Sequence, residues 1–99
     1  SYTADMRVNG NNFLACITTA QNALKDYPYT SMREDISMLL LRAKHKLGSE
    51  SVLEKKEERM RETIDEYYAF KNEFPESKYM KEVEAIYKDA SKYVKELNE

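Results

Sequence analysis

Ninety-nine residues with a net charge of −2, two glycines and two prolines make one small domain, just long enough for a single core. Charged residues form 34% of the chain and strand-like alternation is missing, so an almost wholly helical protein is expected. The charge balance excludes the basic footprint of a nucleic-acid binder, and no apolar run is long enough to span a bilayer.

Residues 1–11 read as a lead-in that runs into a Gly-Asn-Asn turn at residues 10–12. A first helix is expected from about Asn12 to Asp26, with Phe13, Ile17, Ala20, Leu24 and Tyr27 as its apolar stripe and Leu14 and Gln21 together on one flank. Tyr27-Pro28 closes it, because proline cannot continue a helix and restricts the residue before it. The second helix opens at Thr30 or Ser31, where Ser31-x-x-Glu34 fits a capping box, and stops with Gly48 at the C′ position. Its stripe is Met32, Ile36, Leu39, Ala43 and Leu47, yet Leu41 points the opposite way and Met38 lies between. A helix apolar all round is a buried one. Arg42, Lys44, His45 and Lys46 crowd its last turns, where cations suit the helix dipole.

A third helix is expected from Ser49 or Ser51 to Glu73, with Ser51-x-x-Glu54 as a second capping box. Its first half is charged and solvated, supported by pairs such as Glu57 with Arg61. Its stripe is Met60, Ile64, Tyr67, Lys71 and Phe74. Lys71 is tolerable there if its stem covers apolar surface and its amine reaches water or a carboxylate. The fourth helix runs from Ser77 to about Leu97, with Tyr79, Val83, Ile86, Tyr87, Ala90, Val94 and Leu97 inward. Lys88 stands where the second helix has Leu41, so this last helix is apolar on one side only.

The layout of residues 27–47 returns 47 positions later at 74–94: an aromatic residue, proline, a hydroxyl residue (Thr30, Ser77), then a stripe of Ile36, Leu39, Ala43 and Leu47 against Val83, Ile86, Ala90 and Val94. Each unit is therefore a helical hairpin. The expected fold is all-α, two stacked antiparallel hairpins in one domain, with unit 1 at 12–48 and unit 2 at 49–99. The second helix should lie between the first and third, and the fourth should be the outer cap. The second unit departs from the first in the charged excess at 48–59 and in Lys71 opposite Leu24.

Signals for chemistry are few. One histidine and one cysteine cannot assemble a structural zinc site, and no phosphate loop, nucleophile elbow or calcium loop occurs, so no catalytic, cofactor-binding or metal-binding residue is expected and the chain does not read as an enzyme. Cys16 sits in FLAC, which looks like a lipoprotein cleavage box. RVNGNN precedes it where a signal peptide needs an apolar run, so Cys16 reads as a small, partly buried core residue. A chain opening at Ser1 without methionine reads as a piece of something longer. Five of the eight tyrosines, Tyr67, Tyr68, Tyr79, Tyr87 and Tyr93, gather on the second unit, where packing and partner anchoring are the two roles open to them.

The aromatic-Pro-x-Ser/Thr hinge resembles that of tetratricopeptide-type repeats, with a longer period. Residues 9–95 further resemble the C-terminal repeats of the BamD lipoproteins of the bacterial outer-membrane β-barrel assembly machinery, through Ala20, Leu24, Asp26-Tyr27-Pro28, Thr30, Phe74-Pro75, Ser77 and Tyr79. That resemblance implies a non-enzymatic scaffold on the periplasmic face of the outer membrane, tethered by a lipid on the N-terminal cysteine of the longer protein. It implies the barrel-forming subunit and accessory lipoproteins as partners, with no cofactor and no nucleic acid. The other reading is a tetratricopeptide-like adaptor of another assembly, periplasmic or cytoplasmic. Partner contacts are expected on the flank shared by the first and third helices, at Leu14, Gln21, Arg61 and Tyr68, with Tyr68 the sharpest candidate.

Overall fold

The computed structural model describes residues 10–94. It is all-α, with four helices: α1 (Gly10–Asp26), α2 (Arg33–Ser49), α3 (Leu53–Glu73) and α4 (Met80–Ser91). α2 is the central element, packed against α1 on one side and α3 on another, while α4 lies on α3 and along part of α2. Two helical hairpins thus stack on each other, with α4 outermost as the contrast of Leu41 with Lys88 requires. Leu41 is 0% exposed, and Lys88 faces water.

The two hinges share one hydrogen-bond scheme. In the first, Tyr27 N donates to Ala23 O, Thr30 N to Tyr27 O, Arg33 N to Thr30 O and Ile36 N to Met32 O. In the second, Phe74 N donates to Phe70 O, Ser77 N to Phe74 O, Met80 N to Ser77 O and Val83 N to Tyr79 O, each bond 47 residues on. The hydroxyls do the same work: Thr30 Oγ1 accepts from Met32 N at 3.2 Å and Ser77 Oγ from Tyr79 N at 3.0 Å. Proline breaks the ladder, and the hydroxyl two residues later takes up a freed backbone donor before the next helix begins.

Several boundaries differ from the pattern reading. Gly10, Asn11 and Asn12 form the first turn of α1 rather than a loop before it. Neither expected capping box forms. α2 starts behind Met32 without a side-chain cap, and Glu34 turns instead to Ser77 of the second hinge. α3 starts behind Val52, and Ser51 donates to Leu47 O at 2.6 Å while accepting from Arg59 at 2.7 Å. Gly48 is no left-handed C′ residue, since no glycine among the described residues has positive φ. It lies inside α2, where an added Cβ would meet Met60 Sδ at 3.2 Å. A glycine there lets α2 and α3 approach closely. α4 ends at Ser91 in a turn, and Leu97 lies outside the described residues.

The core also sits further around α2 than expected. Ser37, Met38, Leu40, Leu41, Ala43 and Leu47 are buried, whereas Leu39 is 41% and Met32 56% exposed. Three helices pack on α2, and together they cover an arc that excludes Leu39. Ile86, at the matching place in α4, is buried beside Tyr67 and Phe70. The residues of α1 that correspond to these two aromatics are Ala20 and Ala23, too short to cover a leucine. Tyr27, expected in the stripe of α1, is likewise exposed. In the second unit most of the stripe holds: Met60, Ile64, Tyr67, Val83, Ile86, Ala90 and Val94 are buried, joined by Thr63 and Phe70, while Phe74, Tyr79 and Tyr87 are half-buried and Lys71 is exposed.

Candidate docking surfaces

The charged residues of α2 form a seam with the second hairpin. Arg42 makes a two-pronged pair with Glu82, 2.7 Å at each contact, and its guanidinium lies 5.4 Å over the Tyr79 ring. The bond from Arg42 holds the Glu82 carboxyl below the ordinary carboxylate range. His45 Nε2 lies 2.7 Å from Asp89 Oδ2, and Lys44 Nζ donates to Glu66 at 3.1 Å. Tyr79 donates its hydroxyl to Asp35, which pushes that phenol up, and Ser77 donates to Glu34. Arg33 pairs with Glu73 across the hinges. The cations at the end of α2 are thus not merely placed for its dipole: three of the four reach carboxylates on α3 and α4. Separations of 22 to 44 residues hide such pairs from any local pattern.

Because α1 and α3 both pack on α2 and hardly touch each other, an open groove of about 280 Å³ runs between them. Leu14, Ile17 and Leu47 supply apolar lining, with Gln21, Lys44, Glu58, Arg59 and Glu62 around them. The end of the groove is braced where Arg59 holds Ser51 and Lys56 Nζ donates to Ser49 O at 2.9 Å. Thr63, wholly buried, returns its hydroxyl to Arg59 O at 3.0 Å. Leu14 is 46% exposed, so an apolar side chain is available to an incoming group.

The four residues expected on one flank occupy two. Leu14 and Gln21 line this groove. Arg61 and Tyr68 lie roughly half a turn around α3 from Arg59 at about 100° per residue, on the other side of that helix. Arg61 pairs with Glu57 at 3.3 Å. Tyr68 is 51% exposed and belongs to a tyrosine cluster: Tyr67 stacks on Tyr87 with centroids 4.4 Å apart, and Tyr68 tilts against them at 5.0 and 6.0 Å. Its hydrogen bond with Tyr87 raises the Tyr68 phenol above its ordinary value. Tyr67 donates to Glu84 at 3.1 Å, and burial above all raises its pKa. Lys71 resolves as its position demanded, with its amine 3.3 Å from the Tyr67 hydroxyl and 3.4 Å from Glu84.

Pattern reading missed Glu58, Arg59 and Glu62 because they fall in the half of α3 that looks merely solvated. Their available signal was the shared face of residues 58, 59 and 62 on a helix. Cys16 is half-buried, and burial raises its thiol pKa. Among the described residues no group of three His, Cys, Asp or Glu is placed to hold a metal, and no helix is long and apolar enough to cross a membrane. Set against protein-family models, curated proteins and solved structures, the chain matches none.

Proposed function

We propose that this chain is a non-enzymatic docking scaffold of the BamD type, holding partner subunits of the β-barrel assembly machinery at the periplasmic face of the outer membrane, with its lipid anchor on the longer protein. The observation that supports this most is the groove between α1 and α3, the two hairpin helices on the same side of two hinges that share one hydrogen-bond scheme. Leu14 and Gln21 are the contact residues on α1. On α3 the contacts pass to Glu58, Arg59 and Glu62, in place of Arg61 and Tyr68. A partner side chain entering between the helices buries Leu14 and Ile17 while the surrounding charges orient it.

The test is Leu14→Arg in the full-length protein, read by recovery of the barrel-forming subunit and accessory lipoproteins in pull-down, together with a thermal melt. Recovery should fall several-fold with the melt unchanged. Undiminished recovery of those partners overturns the groove assignment. A tetratricopeptide-like adaptor of another assembly, periplasmic or cytoplasmic, is the second reading, because the hinge serves both. Wild-type protein that recovers no assembly subunit from its native membrane would favour it.

A further inference from the structure

Lys81, Ala85, Lys88 and Lys92 fall within about 60° of one another on the outer side of α4 and its C-cap, at about 100° per residue. All four are exposed. A surface lysine on a helix is commonly met by a carboxylate three or four positions away. Among the described residues two are in reach, and both are used elsewhere: Glu84 is held by Tyr67 and Lys71, and Asp89 by His45. The three lysines are left without an ion pair among the described residues.

The place of this strip in the repeat is informative. Forty-seven residues earlier stand Glu34, Met38, Leu41 and His45, the face of α2 on which the second hairpin stacks. α4 therefore presents its own stacking face, with Lys88 in the place of Leu41, the small Ala85 in the place of Met38, and Lys81 and Lys92 in the places of Glu34 and His45. We propose that this face docks a protein helix carrying carboxylates at one- to two-turn spacing. The ridge is about 16 Å long at 1.5 Å per residue and one helix face wide, which fits a helix. A broad phosphate-covered surface, whether lipid or nucleic acid, would instead meet Glu84 on one side and Glu82 and Asp89 on the other, and the chain as a whole is anionic. The strip is separate from the groove between α1 and α3, so the failure of either assignment leaves the other standing.

The probe is an alanine-based helical peptide with three glutamates spaced as the lysines are, set against an isomer of equal composition with the glutamates scattered around the helix. Binding to the whole chain is followed at low ionic strength by fluorescence anisotropy and by amide chemical shifts. The matched peptide should bind about ten-fold tighter than the isomer, perturb α4 amides, and lose about ten-fold on Lys88→Gln, a change at an exposed site that leaves folding intact. Lys81→Glu with Lys88→Glu and Lys92→Glu should reverse the preference toward a lysine-bearing peptide, with circular dichroism confirming the fold. Equal binding of the two isomers overturns the proposal. So does tighter binding to phosphatidylglycerol vesicles or duplex DNA. Sedimentation showing a low-salt dimer that Lys88→Gln abolishes would give the strip to a second copy and overturn it equally.

Discussion

Truncating Leu41 leaves a void where α2 meets α3 and α4, because this side chain has no exposed surface and belongs to the cluster of Met38, Tyr67, Phe70, Val83 and Ile86. Leu41→Ala should destabilise by about 2–5 kcal/mol in chemical denaturation. Leu39→Ala, at a position 41% exposed, should lose less than about 1.5 kcal/mol. Equal losses would mean the core is centred where the apolar pattern alone puts it. Tyr68→Ala should lose about 1 kcal/mol through its contacts with Tyr67 and Tyr87 and leave groove binding untouched. For Glu82, the folded carboxyl titrates below its ordinary value, so the stabilisation it contributes is present above the ordinary carboxylate range and disappears as pH falls through the lower folded value. Arg42→Gln removes the cause. The stability gap between wild type and Arg42→Gln should therefore close on acidification, and should narrow in high salt because both side chains are 43% exposed. A gap that is constant from neutral to acid pH would show that Arg42 acts only by packing.

At the level of elements, the hinges and the α2–α3 corner carry the specific demands. Ser77→Ala removes both the acceptor for Tyr79 N and the donor to Glu34, whereas Thr30→Ala removes one exposed acceptor. Thermal melts should show a loss of about 1–2 kcal/mol for Ser77→Ala and under about 1 kcal/mol for Thr30→Ala. At the corner, Gly48→Leu would drive its side chain into Met60, which an added Cβ already approaches at 3.2 Å. That overpacking should destabilise by about 1–3 kcal/mol. A neutral Gly48→Leu would mean that α3 moves freely off α2.

For the molecule as a whole, stability should be graded from the centre outward. α2 has neighbours on three sides, while α4 rests mainly on α3 and meets α2 through Met38 and Leu41 and a flanking polar seam. Native-state hydrogen exchange should find the amides of residues 38–41 the slowest and those of α4 faster, since elements with fewer buried contacts open first. Equal protection of α4 and α2 would make the four helices a single cooperative unit.

Helix content, the two hinges, the order of the hairpins and the one-sided nature of α4 were legible in the sequence, because each follows from local chemistry: proline ends a ladder, a nearby hydroxyl takes a backbone donor, and a periodic stripe seeks cover. The centring of the α2 core was not legible, since the run Met38 to Leu41 is apolar at every position and only the three neighbours decide which side is covered. Gly48 looked like a helix stop and proved to be a point of close approach, a property of two helices rather than one. The groove between α1 and α3, and the separation of Tyr68 from Leu14, were likewise decided by packing alone. Residues far apart in the chain share a surface only through the way the helices stack, and no local pattern encodes that distance.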